Sequence, residues 1–139
     1  MNRILKSTAA VLICAGLVGH AAAAELTVRV EGVKKAAGTI HIAVFDEAGW
    51  SANTAVAGGT VTAGEGAELI LTDLAPGTYG IKLYQDADEN GKLNLGLLGI
   101  PSEPYGFSND VSVRTGPPRF GKASFEVTEA GAVQTITLN

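Results

Sequence analysis

The chain has 139 residues, 10 Lys and Arg against 14 Asp and Glu, and a formal net charge of −4 at pH 7. No basic stripe is present, which excludes a nucleic-acid binder of the usual kind, since that needs clustered Lys and Arg to displace counterions. A single cysteine, Cys14, and two histidines exclude an internal disulfide and leave little room for a Cys/His or multi-histidine zinc site.

The first residues read as a secretion signal. Arg3 and Lys6 form a short positive region, Ser7 to Gly19 is an apolar run of about a dozen residues, and Ala22-Ala23-Ala24 supplies the small residues of a cleavage site. A spanning helix needs about 20 apolar residues, so the run is too short for an anchor and no membrane insertion is expected after cleavage. Cys14 follows bulky Ile13, not the small residue that precedes a lipidated cysteine, and is an ordinary member of the apolar run. Residues 1–24 are thus expected to be a signal peptide cleaved near Ala24, and 25–139 a single periplasmic or secreted domain. Without Arg3 and Lys6 the 10 basic residues fall to 8 against 14 acidic ones, so the formal charge moves from −4 to −6. Calcium and neutral or cationic ligands are the partners that such a charge favours.

From there the dominant period is two. Leu26, Val28 and Val30 alternate with polar residues, as do Ile40, Ile42 and Val44. Val56 to Thr62 is a weaker strand, diluted by Gly58 and Gly59. Ala67, Leu69 and Leu71 follow, then Tyr79, Ile81 and Leu83, then Ala123, Phe125 and Val127, with Ile136 and Leu138 closing the chain. Turn residues separate these runs: Gly38, Gly64 with Gly66, Pro76-Gly77, Asn90-Gly91 and Gly131. The pattern predicts an all-β fold, one antiparallel β-sandwich of about seven strands, with a small barrel as the alternative. Trp50 is expected to plug one end of the sandwich, and His41 to face solvent.

The exception is the Gly- and Pro-rich stretch 85–121, in which only Asp110 to Arg114 looks strand-like. Leu95, Leu97, Leu98, Ile100, Tyr105, Phe107 and Phe120 make it too apolar for disorder. It is expected to be an ordered loop packed on its own side chains across an end or edge of the sandwich, and the first place to look for a site.

Within it, Asp86, Asp88, Asn90 and Asn94 space oxygen side chains around Gly91 in the D-x-D-x-N-G start of a calcium-binding wrap, with the Lys92 carbonyl as a further ligand. Position twelve is Leu97 instead of a bidentate Glu, so Glu103 or Asp110 would have to complete the shell. The competing reading is a metal-free turn: Asn90-Gly91 is a strong hairpin signal, and Asp86 and Asp88 can cap turns through Asx hydrogen bonds.

Asp86 through Asn94, then Leu98-Gly99-Ile100-Pro101-Ser102-Glu103-Pro104-Tyr105-Gly106-Phe107-Ser108-Asn109, then Gly116-Pro117-Pro118-Arg119-Phe120, resemble the DUF2141 family of exported bacterial proteins. Leu74-Ala75-Pro76-Gly77-Thr78-Tyr79 fits that family and echoes the L-x-P-G-x-Y hairpin of carboxypeptidase-regulatory-like and transthyretin-like sandwiches. The resemblance implies a β-sandwich outside the cytoplasm and brings no substrate or catalytic residue with it. The family's acidic loop often ends on Asp where this chain has Asn94.

Two functions are open on these residues. One is an exported, non-catalytic module, stabilised by calcium through Asp86, Asp88, Asn90, Lys92 and Asn94, that binds a cell-surface protein, peptide or glycan. In that reading Tyr105, Phe107 and Phe120 are partner-binding candidates, unless they are only the loop's own core. The other is a hydrolase built on the carboxylates of the 86–103 loop. Oligomeric state is not legible.

Overall fold

The computed structural model describes residues 22–139; most of the expected signal peptide and Cys14 lie outside the described residues. Eight strands form two sheets: β1 (Ala24–Glu31), β2 (Thr39–Phe45), β3 (Ala57–Thr62), β4 (Glu68–Leu74), β5 (Gly77–Asp86), β6 (Tyr105–Phe107), β7 (Phe125–Val127) and β8 (Ala132–Thr137). One sheet runs β4-β1-β8; the other runs β3-β2-β5-β6, with β7 pairing the start of β5. The fold is the expected all-β sandwich. It departs from a purely antiparallel one because β8 lies parallel to β1, with Leu26 opposite Ala132 and Glu31 opposite Thr137.

The period-two pattern decides which faces meet. Leu26, Val28 and Val30 of β1, Ile136 of β8, Ile40, Ile42 and Val44 of β2, and Ile81 and Leu83 of β5 are buried together between the sheets. The Leu74–Tyr79 segment is not a hairpin within one sheet. It carries the chain from β4 in the first sheet to β5 in the second, and the Tyr79 hydroxyl closes it by donating to the Ala75 carbonyl at 2.7 Å.

The second sheet also carries apolar groups on its outer face. Phe45, Trp50, Phe107 and Ala123 are buried there, with Phe120 and Tyr105 against them. Trp50 therefore does not plug the end of the sandwich. It sits in a short helix, α1 (Glu47–Ala52), capped by Asp46, whose carboxylate accepts from Gly49 N at 2.7 Å, and terminated by left-handed Asn53. Its indole lies flat enough on β5 that a Cβ at Gly80 would come within 2.7 Å of the ring. Its Nε1 donates to the Pro118 carbonyl at 2.9 Å and so ties down the returning segment, which enters α2 (Phe120–Ala123). Asp110 to Arg114 is not a strand. Asp110 turns back to accept from Thr137 N and Oγ1, which removes the backbone from any ladder.

Ser108 is fully buried at the junction of these layers. Its hydroxyl accepts from Ile81 N at 2.9 Å and donates to the Ala123 carbonyl. Replacing it with alanine leaves one buried donor and one buried acceptor without partners. Ser108→Ala is expected to lower unfolding free energy by about 1–3 kcal/mol in urea titrations at unchanged m-value.

Candidate functional site

β5 ends at Asp86, and the chain then wraps on itself before returning as β6. Gly38, at φ +74, makes room for the start of the wrap: a Cβ there would collide with the Asp86 carbonyl. Asp86 is buried, and its two carboxylate oxygens accept from Asn90 N at 3.1 Å and Gly91 N at 2.7 Å. Asp88 Oδ1 accepts from Asn90 N, and Asn90 Oδ1 from Lys92 N, both of them Asx turns. Asn90 and Asn94 each donate a side-chain amide to Asp88 Oδ2, at 3.2 and 2.7 Å. The next strand, β6, begins only at Tyr105, so Asn90-Gly91 is the bend of a wrap and not the two-residue turn of a hairpin.

Glu103 arrives from nine residues beyond Asn94 and is also buried. Its carboxylate accepts from Ala87 N at 3.0 Å and Asn94 N at 2.9 Å, joining the two ends of the wrap. The structure thus brings Asp86, Asp88, Asn90, Asn94 and Glu103 together, and carboxylate oxygens of Asp86, Asp88 and Glu103 lie within 4.8 Å of one another. Asp110, the other residue expected to complete a shell, is elsewhere, held by Thr137. Oxygen donors of these types fit a hard cation such as calcium. The same oxygens also accept hydrogen bonds, those of Asp86 and Glu103 from backbone N–H groups and Asp88 Oδ2 from the Asn90 and Asn94 amides.

His41 is not simply solvent-facing. It is half-buried on β2, stacked on Tyr84 at 4.9 Å between ring centroids, with Nε2 3.5 Å from Asp86 Oδ2. Burial alone would push the Asp86 carboxyl up. The hydrogen bonds donated by Gly91 N and Asn90 N and the nearby imidazole outweigh it and hold the carboxyl below its ordinary value. Burial, then the charges of Asp86 and Glu103, raise the Tyr84 phenol.

Glu103 also anchors a finger. Between Asn94 and Ser102 the chain runs out and back, closed by Ser102 N to the Asn94 carbonyl at 2.8 Å and Gly96 N to the Ile100 carbonyl at 2.7 Å. The loop does not pack on its own leucines. Leu95 is 61 % exposed, Leu97 88 %, Leu98 91 % and Ile100 61 %. Leu98 holds φ +62, a left-handed conformation costly for a leucine.

The finger walls one side of a groove of about 1280 Å³. Its floor is the outer face of the second sheet, with Gly58 on β3, His41 and Ala43 on β2, and Lys82 and Tyr84 on β5. Leu95, Leu98 and Ile100 border it from the finger, and Val113 and Arg114 from the returning segment. Of the expected partner-binding aromatics, Tyr105 and Phe107 line the groove; Phe120 does not, and packs on Trp50 at 5.8 Å. Sequence reasoning missed Lys82, Ala43 and Gly58, which face outward from strands whose inward residues carried the periodic signal. The finger's aliphatic run was visible in the sequence and was read as core.

Among comparisons with known proteins, the family described as an uncharacterized protein conserved in bacteria (DUF2141) matches residues 28–136. No curated protein and no solved structure matches.

The depressed Asp86 carboxyl ties stability to pH. Its contribution is present above the unfolded carboxyl value of about 3.9 and is lost as pH falls through the lower folded value. Melting temperature is expected to drop across that acidic window in the wild type. In Asp86→Asn the curve is expected to start lower at neutral pH and to fall less steeply below about pH 4.

Proposed function

The chain belongs to the DUF2141 family, and from that premise and its outer-face geometry we propose that it is an exported, non-catalytic binding module whose ligand lies in the groove beside the finger. One observation carries this reading. The finger holds Leu95, Leu98 and Ile100 in or near water, with Leu98 in a strained backbone conformation, and all three border one groove of about 1280 Å³. Exposed aliphatic groups and local strain both cost free energy, and functional sites are where proteins retain them.

Support for export comes from the signal-like first residues. Among the described residues no helix is long and apolar enough to cross a membrane. The acidic wrap serves as the root of the finger in this reading. Asp86, Asp88, Asn90, Asn94 and Glu103, with the Lys92 carbonyl, would hold calcium, which would stiffen that root. A hydrolase on the same carboxylates is the weaker reading. Asp86 and Glu103 spend both oxygens on backbone N–H groups, and neither borders the groove.

Two measurements test this. N-phenyl-1-naphthylamine, a neutral dye that fluoresces in apolar surroundings, is expected to bind the mature protein saturably. Leu98→Asn should weaken that binding several-fold while raising stability by up to about 1 kcal/mol, because asparagine tolerates the left-handed backbone. Absence of saturable dye binding, or an unchanged affinity in Leu98→Asn, would count against the groove. For calcium, calorimetry should give a dissociation constant on the order of 0.1–1 mM and a melting shift absent from the Asp86→Ala/Asp88→Ala double variant. Chelator should leave the fold intact. A wild type showing neither heat nor shift would remove calcium from the account.

A further inference from the structure

The groove's charge is opposite in sign to the chain's. The protein carries 14 acidic against 10 basic residues, yet the groove is bordered by Lys82 and Arg114 and by no carboxylate. Among the described residues, Arg29 is paired with Glu68 and His41 Nε2 lies 3.5 Å from Asp86 Oδ2, while neither Lys82 nor Arg114 is matched by an acidic side chain.

Lys82 is the more constrained of the two. Its ammonium donates to the Trp50 carbonyl at 2.8 Å and to Asn53 Oδ1 at 3.1 Å, and lies 4.5 Å from the centre of the Phe45 ring and 4.6 Å from that of Trp50. These neutral contacts fix the charge at the α1 end of the groove. They use two of the three donors an ammonium carries and supply no counter-charge. Burial lowers the Lys82 amine from its ordinary value, as expected of a cation that has lost water without gaining an anion.

The remainder of the groove is largely apolar. β2 and β5 are interior strands with partners on both sides, so their ladder groups are already committed. A peptide adding to a sheet needs a free edge; β3 has one, but β2 separates that edge from Lys82 on β5. A sugar needs an open aromatic face; of the rings that line the groove, His41 and Tyr84 are stacked on each other and Tyr105 and Phe107 meet edge to face. An aliphatic chain needs neither: it needs small floor residues, here Ala43 and Gly58, and a greasy wall, here Leu95, Leu98 and Ile100.

Resting on the binding-module reading above, we propose that the groove takes an amphiphile with a single aliphatic chain and a terminal carboxylate, the chain lying under the finger and the head group pairing with Lys82. Arg114 faces the same groove and adds to the attraction.

Displacement of N-phenyl-1-naphthylamine by decanoate, decanol and decyltrimethylammonium, each below its aggregation concentration, tests it. In the wild type decanoate should bind about tenfold more tightly than decanol, the order of one charge-assisted hydrogen bond, and decyltrimethylammonium most weakly. Lys82→Met, which keeps the aliphatic stem over Trp50, should bring decanoate to the decanol level with dye binding retained. If Lys82→Met does not fold, Arg114→Gln and added salt serve instead: about 1 M salt should weaken decanoate and spare decanol. Equal displacement by decanoate and decanol in a wild type that binds the dye overturns the head-group assignment and leaves the groove standing. A wild type that binds neither dye nor any of the three amphiphiles overturns the groove itself.

Discussion

Two carboxylates taken out of water govern the outer face of this protein. A buried, ionised Asp or Glu is tolerated only where donors replace its lost hydration. Asp86 and Glu103 find those donors in the backbone of the wrap: Asn90 and Gly91 for the first, Ala87 and Asn94 for the second. Because the donors are peptide N–H groups, satisfying the charge also fixes the chain's path. The wrap must close, Asn94 must lie beside Ala87, and the finger that begins at Asn94 must leave the sheet in one direction.

That constraint makes the exposed leucines intelligible. A loop as apolar as 95–100 would ordinarily collapse onto the nearest core. Here the nearest core is already sealed: the space between the sheets is filled by the inward residues of β1, β2, β5 and β8, and the outer cluster is closed over Trp50 by Phe45, Phe107 and Phe120. With both roots of the finger pinned by Glu103, the finger stands beside the sheet and encloses space instead of filling it. The strain at Leu98 fits a segment whose ends are held by stronger interactions than its tip can supply.

The groove's chemistry follows from a separate decision made at α1. Asp46 starts that helix and Asn53 ends it, and between them Trp50 is laid across β5. The Trp50 carbonyl and the Asn53 side chain then hold the Lys82 ammonium at the groove's end. A chain with an excess of acid thus lines this groove with positive and largely apolar groups, because its carboxylates are spent on backbone donors in the wrap or lie away from the groove. Overall charge, which by itself favours neutral or cationic partners, is a poor guide where the local lining reverses it.

Much of the fold was legible in the sequence, for a physical reason: side chains of an extended strand alternate between faces, so burial writes itself into period two. Leu26-Val28-Val30 and Ile40-Ile42-Val44 had to be inward, and turn residues had to separate them. The oxygen spacing from Asp86 to Asn94 likewise announced a tight wrap, and its Asx bonds formed as that spacing allows. Period two does not say which sheet a strand joins or whether its neighbour runs parallel, so the β1–β8 pairing was invisible. It is also silent about the outward residues, and the site is made of them. His41, Ala43, Lys82 and Tyr84 come together only because β2 and β5 pair in one register, with Ala43 opposite Lys82 and His41 opposite Tyr84. The aliphatic run 95–100 reads from its composition as a loop packed on its own side chains, and it stands outside because Glu103, a buried acceptor with two backbone donors, holds its root. Local composition determined the layers; long-range hydrogen bonding decided what the outer one encloses.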